Sequence, residues 1–142
     1  MIRPTYMAFL YDHGTYTTID PPTGLDTYAI DINSKGDIVG HFQERSGGPE
    51  QGFLYSGGKY TIIDFPGALN THPQGINDKG QIVGFYQDNT GQHSFVEDHG
   101  VYTTLDLNTA SSINNNGEVV GFVGGVTDHG MLATPGHGWH LI

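Results

Sequence analysis

The stretch "GFLYSGGKYTIIDFPGALNTHPQGINDKGQIVGFY", residues 52 to 86, decides the fold because the chain repeats it. It consists of two blocks, and both recur along the chain with their aromatic, asparagine and glycine positions in register. The first block occupies 7–20, 51–64, 93–106 and 130–142. The second block occupies 29–42, 74–86 and 111–123. One first block therefore has no partner.

Both blocks predict β-hairpins. "KYTIID" alternates in the manner of a half-buried strand and is rich in residues that favour strands. The turns "SGG" and "DHG" supply the positive φ values that tight hairpins need. In the second block, "NSKG", "NDKG" and "NNNG" are typical of type I turns that end in a left-handed glycine beside a bulge. Each repeat therefore contains four short strands.

Four strands in every 42 to 44 residues predict an all-β chain built of β-propeller-type blades. The alternative is a β-trefoil, which also has three four-stranded repeats. "DIVGHF", "QIVGFY" and "EVVGFV" favour the propeller, because consecutive apolar residues predict strands that are buried on both faces. We expect Gly40, Gly84 and Gly121 in these strands to allow close approach of a neighbouring blade.

We interpret the whole chain, 1–142, as a single repeat domain with one extra hairpin and three blades. The hairpin spans 1–20, and the blades span about 24–65, 69–107 and 108–142. Three blades are too few to close a ring, which usually takes roughly four to eight. We therefore expect a homo-oligomer in which two chains close one ring. The extra hairpin then packs elsewhere, exchanges onto a partner's edge or belongs to a longer array.

The triplets "MAF", "QGF" and "HSF", followed by a "TxxD" segment and then by a pattern such as "GINDKGQIVGFY", resemble the bacterial HAF repeat. The likeness extends over nearly the whole chain and is most specific in the middle copy. It implies a protein of tandem copies that is extracellular or periplasmic and propeller-like. It transfers no catalytic motif, and Met7 and Gln51 stand where that family has histidine.

The composition excludes several classes of function. Acidic residues outnumber basic ones by 15 to 5, and the formal charge of -10 disfavours binding to nucleic acid. No apolar run approaches the roughly 20 residues needed to span a membrane. The lack of cysteine excludes thiolate metal sites. "MIRPTYMAFLYD" at the start has no apolar core, so we expect no signal peptide in this chain.

The loops that join the blocks differ most among the copies, and repeat proteins often place binding residues on such variable edges. The ligand-binding candidates that we select there are Tyr28, Arg45, Asn70, His72, Asp88 and His93. The sequence favours a non-catalytic binding or scaffolding module, with a glycan or a small molecule as ligand. The alternatives are a structural unit that assembles through strand edges, and an enzyme (lyase, hydrolase or cyclase) with a pocket of His, Asp and Tyr.

Other polar motifs have simple structural explanations, and we assign no cofactor and no metal ligand. His13 and His99 occupy the turn "DHG", where histidine tolerates a positive φ better than bulky residues do. "DINSKGD", at 31–37, has oxygen ligands at alternating positions but lacks the glutamate of a calcium loop. "GHGWH" places His137 and His140 on opposite faces of a predicted strand. None of the common motifs for nucleophilic catalysis, zinc peptidases or nucleotide binding is present.

Overall fold

The computed structural model describes residues 6–124, 129–134 and 138–141, with side chains up to residue 124. These residues are all-β, as the sequence predicts, and form fourteen strands. The strands are β1 (Ala8–Asp12), β2 (Thr15–Ile19), β3 (Asp26–Ile32), β4 (Ile38–Gln43), β5 (Glu50–Ser56), β6 (Lys59–Ile63), β7 (Asn70–Ile76), β8 (Ile82–Asp88), β9 (Gly91–Asp98), β10 (Val101–Leu105), β11 (Thr109–Ile113), β12 (Val119–Val123), β13 (His129–Thr134) and β14 (Gly138–Leu141). Within the described ranges, no helix is long and apolar enough to cross a membrane.

The strands pair antiparallel in chain order and build separate sheets. β1 and β2 form the N-terminal hairpin. The first sheet contains β3 to β6, the second sheet β7 to β10 and the third sheet β11 to β14. No closed barrel forms in the described part of the chain, so the arrangement does not fit a β-trefoil, whose hairpins build one. Residues 1–5, 125–128, 135–137 and 142 of the predicted hairpin and last blade lie outside the described residues.

The two-residue turns of the first blocks adopt the positive φ values that the sequence predicts. His13 has a φ of 48° and is followed by Gly14 at 90°, while His99 has a φ of 50° and is followed by Gly100 at 90°. Positive φ at both central residues defines a type I′ turn, whose twist matches that of the strands it joins. The prediction for these histidines as turn residues is confirmed.

The turns of the second blocks are also as predicted. Gly36, Gly80 and Gly117 have φ values of 84°, 80° and 79°. Each glycine N–H donates to the carbonyl of the asparagine three residues earlier, at 3.0 to 3.1 Å. These contacts form type I turns that end in a left-handed glycine, the conformation that costs other residues most.

The explanation expected for the strand glycines is wrong. A Cβ on Gly40 would lie 1.9 Å from the carbonyl oxygen of Tyr28, and one on Gly84 would lie 2.1 Å from that of His72. Both carbonyls belong to the neighbouring strand of the same sheet, beside a bulge in its register. The close contact that requires glycine at these positions is therefore made within one sheet, by a backbone carbonyl of the paired strand. Contact with the next sheet occurs at Gly52 instead, where a Cβ would lie 2.7 Å from the ring of Pro73.

Apolar layers fill the spaces between successive sheets. One cluster joins the N-terminal hairpin to the first sheet, a second joins the first sheet to the second, and a third joins the second sheet to the third. Ile38 and Val39 on β4 are buried on opposite faces of the strand, as are Ile82 and Val83 on β8. The prediction that these strands are buried on both faces is therefore confirmed for β4 and β8.

Asparagines at the turns after β3, β7 and β11 link the sheets at one end of the molecule. The side-chain amide of Asn33 donates to the carbonyl of Asn77 at 3.0 Å, and that of Asn77 donates to the carbonyl of Asn114 at 3.0 Å. Beside this row, the N–H of Ser34 donates to Asp78 Oδ1 at 2.8 Å. We call this end the turn end and the opposite end the loop end.

Candidate functional site

All six predicted binding residues lie at the loop end. They stand at the start of an odd-numbered strand, at the end of an even-numbered one, or in the loop between two strands. Because neighbouring strands run antiparallel, these positions share one edge of each sheet. The sequence therefore gathers the candidates on one side of the molecule, although they form three separate groups there.

The first group contains two predicted residues, Tyr28 and His72, together with His41 and Glu50. Tyr28 lies opposite His41 in the first sheet, and their rings stack with centroids 4.9 Å apart. The His41 ring lies 4.3 Å from that of His72, which belongs to the second sheet. His72 Nε2 also contacts the carboxylate of Glu50 at the start of β5. We call His41, Glu50 and His72 the junction cluster, because they join the first sheet to the second.

Hydrogen bonds hold the Glu50 carboxylate in place. Gln43, its partner across β4 and β5, donates from Nε2 to Glu50 Oε1 at 3.3 Å. The backbone N–H of Glu50 donates to Asn70 Oδ1 at 2.8 Å, and Asn70 Nδ2 donates to Gln87 at 3.1 Å. Asn70, a third predicted residue, therefore positions Glu50 from the second sheet.

Burial favours the neutral form of both imidazoles of the junction cluster. Burial and then the charge of His72 lower the pKa of His41 to about 4. Burial also lowers the pKa of His72, although the neighbouring carboxylate of Glu50 acts in the opposite direction. Among the described residues, His41 Nδ1 is buried and has no hydrogen-bond partner. A neutral imidazole can accept a hydrogen bond or bind a metal ion.

Aromatic rings continue from the junction cluster in both directions. The Tyr6 ring lies 5.2 Å from that of Tyr28, and the His72 ring stacks on Phe85 at 4.7 Å with an interplanar angle of 7°. Five rings therefore form one row across the first two sheets, which we call the ring row: Tyr6, Tyr28, His41, His72 and Phe85.

The second group is Asp88 and His93, on the hairpin between β8 and β9. Asp88 Oδ1 accepts hydrogen bonds from the N–H of Thr90 at 2.8 Å and from its hydroxyl at 2.6 Å. His93 Nε2 lies 3.2 Å from the same oxygen. The hydrogen bonds from Thr90, more than His93, lower the pKa of Asp88. These contacts stabilise a hairpin turn, so the pair stands apart from the ring row.

Arg45 forms the third group alone. It lies in the loop after β4 and lines a surface recess of about 270 Å³ with Glu44, Pro49 and Gln51. Gln51 Oε1 is buried and has no partner among the described residues. Two residues that line the recess, Pro49 and Gln51, are the immediate neighbours of Glu50 in the chain.

The junction cluster includes two residues that sequence reasoning missed, His41 and Glu50. A signal for His41 exists in the repeat, because "VGHF" holds histidine where "VGFY" and "VGFV" hold Phe85 and Phe122. A polar residue at an apolar position of a repeat often marks a site. Glu50 gives no such signal, since it is the first residue of β5 and its contact with His72 depends on how the two sheets pack.

The oxygens of the calcium-like stretch are used within the fold. Asp31 Oδ2 accepts from the N–H of Ile76 at 2.9 Å, and Asn33 Oδ1 accepts from the N–H of Asp37 at 2.9 Å. Asp37 Oδ1 accepts from the Ser56 hydroxyl at 2.5 Å. The side chains of the "GHGWH" stretch, including His137 and His140, lie outside the described residues.

Comparison with known proteins places the repeat in a family. Residues 5–129 match the family model described as "Protein of unknown function (DUF3466)". The chain belongs to this family. The match includes all of the ring row and the junction cluster. The description of DUF3466 assigns no activity, and no curated protein matches the chain.

Proposed function

We propose that the chain is a non-catalytic binding module of the extracellular or periplasmic space, built of HAF-like repeats in a propeller-like array. The observation that carries the proposal is the ring row, which gathers five aromatic rings at one end of the first two sheets. Its ligand is a glycan, because the faces of sugar rings stack on aromatic side chains and their hydroxyls bond to nearby polar groups.

The surroundings of the ring row suit such a ligand. Tyr6, at one end of the row, is 55% exposed and presents its ring to solvent. Polar side chains beside the row can bond to sugar hydroxyls, among them Gln43, Glu50 and Asn70. Binding sites commonly combine apolar surface with a few placed polar groups. The six candidates from the sequence lie at this same end.

The test is titration of the full chain with a panel of cell-wall and soluble glycans, followed by heteronuclear NMR or calorimetry. At least one glycan should bind, and both Tyr6→Ala and Tyr28→Ala should weaken binding by about tenfold or more, the loss of roughly 1.4 kcal/mol of stacking. Tyr16→Ala is the matched control, because Tyr16 is an exposed tyrosine of the N-terminal hairpin that lies outside the ring row. No binding at millimolar concentration, or equal losses in all three variants, would contradict the proposal.

A second candidate function is self-assembly, which the exposure of the two ends favours. Phe9 on β1 is 60% exposed, whereas Phe53 and Phe95, at the same position of later repeats, are fully buried. The preceding hairpin or sheet covers each of those two residues. A recess of about 260 Å³ beside Phe9 has a mostly apolar lining that includes Ile30 and Ile32.

The opposite end is uncovered in a complementary way. On β12, Val120 and Phe122 are 38% and 44% exposed, whereas Val39 and Val83, at the position of Val120, are fully buried by the next sheet. Between the first and second sheets, and between the second and third, the face that corresponds to Val120 packs against the face of the following sheet that corresponds to Phe9. Two copies that repeat the same contact at both ends form a closed homodimer, the partner proposed here.

Light scattering of the purified chain at several concentrations tests this second candidate. Wild type should have the mass of a dimer, and Phe9→Ser or Phe122→Ser should shift it to a monomer. Ile62→Ser is the control, since Ile62 is 48% exposed on β6, away from both end faces. A wild-type monomer at all concentrations would exclude the dimer and leave glycan binding to be judged separately.

A further inference from the structure

Three potential metal ligands from three strands meet in the junction cluster. One imidazole nitrogen of His41, one of His72 and one carboxylate oxygen of Glu50 all lie within 4.8 Å of one another. Ligand atoms of a tetrahedral zinc ion stand about 3.3 Å apart, given bonds of about 2.0–2.1 Å. The spacing of the three donor atoms is therefore close to that around a bound zinc ion, and binding needs only local adjustment of the side chains.

The donor atoms select the class of metal. Calcium and magnesium prefer oxygen ligands, whereas two imidazoles with one carboxylate suit zinc and similar transition metals. Three protein ligands of this kind leave one tetrahedral position for water or for another oxygen. The unpartnered Nδ1 of His41 is a further sign, because a buried polar atom without a partner costs free energy unless something satisfies it.

The junction between the second and third sheets shows that packing does not require these residues. By register, Phe85, Gln92 and Thr109 occupy the positions of His41, Glu50 and His72. There, Gln92 Nε2 donates to Thr109 Oγ1 at 2.9 Å, and no charged group is involved. The same contact between sheets is therefore made with neutral side chains. The two histidines and the glutamate are a local departure from the repeat.

Neighbouring residues hold the three ligands in place. Tyr28 stacks on His41, and Phe85 stacks on His72, which restricts both imidazole rings. Gln43 bonds to one carboxylate oxygen of Glu50 and leaves the other near His72. Such supporting contacts orient metal ligands and raise affinity.

We propose that His41, Glu50 and His72 bind a divalent transition metal ion of the zinc class between the first and second sheets. The ion has three protein ligands and one position for an exogenous oxygen. It also links two sheets that otherwise meet through apolar packing and hydrogen bonds. This inference does not depend on glycan binding, because metal affinity is measured without any sugar.

Calorimetric titration of the metal-stripped full chain with zinc chloride tests the proposal, with cobalt(II) absorption as a report on tetrahedral geometry. Wild type should bind one ion at this site. The combined variant His41→Phe, Glu50→Gln and His72→Thr copies the next junction and should lose that ion while keeping its circular dichroism spectrum. Two controls remove histidines elsewhere: His13→Ala with His99→Ala, and His137→Ala with His140→Ala.

The outcomes separate the junction cluster from adventitious binding by other histidines. Loss in the combined variant, with binding retained in both controls, supports the site. Absence of zinc binding by wild type at micromolar concentration overturns it, as does binding that survives the combined variant or disappears in either control. If the combined variant does not fold, Glu50→Gln alone decides, since it preserves shape and should weaken zinc affinity by at least about tenfold.

Discussion

His41 shows how one substituted position of a repeat changes the chemistry of a junction. The residues at the same position in the other two repeats are Phe85 and Phe122, and both belong to the apolar pattern of the strand. In the first repeat the polar ring enters the same surroundings, where burial lowers its pKa to about 4. The folded state of this repeat therefore favours the neutral form of His41.

This requirement makes stability depend on pH. An unfolded histidine takes up a proton below a pH of about 6.5, whereas His41 stays neutral until about pH 4. The unfolded state then binds more protons in that window, so the free energy of unfolding falls as the pH drops from about 6.5 to about 4. The lowered pKa of His72 acts in the same direction.

His41→Phe should flatten this dependence in metal-free buffer. Urea unfolding curves at several pH values between 4 and 7 measure the free energy of unfolding. Wild type should lose stability relative to the variant as the pH falls. The aspartates with lowered pKa, such as Asp88, are present in both proteins and cancel in the comparison. Parallel curves for the two proteins would show that His41 is protonated as readily in the folded state as in the unfolded one.

The sequence could predict some residues of the site and not others. Tyr28 and His72 can be predicted because they lie in the variable loops or next to them. The histidine turns can be predicted because only a few residues tolerate positive φ. The sequence does not indicate that His41 and Glu50 lie beside His72, because that contact depends on how the second sheet packs against the first. Periodicity within one repeat carries no information on that contact.

At the scale of single elements, the bulge in β7 and the glycine opposite it act as one unit. The carbonyl of His72 occupies the space that a side chain on Gly84 would need. The sequence predicted correctly that this glycine is required but assigned the reason to the wrong neighbour. A bulge places a carbonyl where regular pairing would leave room, and apolar periodicity does not reveal bulges.

Gly84→Ala should therefore destabilise the protein by about 1–3 kcal/mol, the usual cost of overpacking. Equilibrium denaturation by urea measures the change. Thr103→Ala is the control, since Thr103 is an exposed strand residue of the same sheet and should change stability by less than about 1 kcal/mol. A Gly84→Ala protein as stable as wild type would mean that β7 and β8 can separate at the bulge without cost.

The asparagine row offers a matched pair of turns. Asn77 and Asn114 each accept two backbone N–H bonds within their own turn, but only Asn77 also donates to the next turn and is buried. Asn77→Ala leaves the Asn114 carbonyl and the turn amides without their partner in a partly buried setting. Its thermal unfolding should show a loss of about 1–3 kcal/mol beyond that of Asn114→Ala. Equal losses would indicate that the link between turns adds nothing to the bonds within them.

At the scale of the whole molecule, the sequence predicts the all-β class and the strand pairs because the same strand and turn pattern recurs in every copy of the repeat. Local patterns specify each hairpin, and repetition averages out the variable residues. How many copies assemble and what covers the exposed ends are relations between surfaces, and a pattern along one chain describes them only indirectly. The exposure of Phe9 and Phe122 follows from how the sheets pack, which the sequence does not show.

The layered order of the sheets also determines which parts open first. Each sheet is held by the one beside it, through one apolar layer and one row of amide bonds, so its opening free energy depends on how many neighbours it has. β8 has a paired strand on both edges and buried residues on both faces, whereas β12 is covered on one face. Amide hydrogen exchange should accordingly be slowest in β8 and faster in β2 and β12, as NMR can measure. The molecule is then expected to lose its structure from the ends inward, with the central sheet as the last part to exchange.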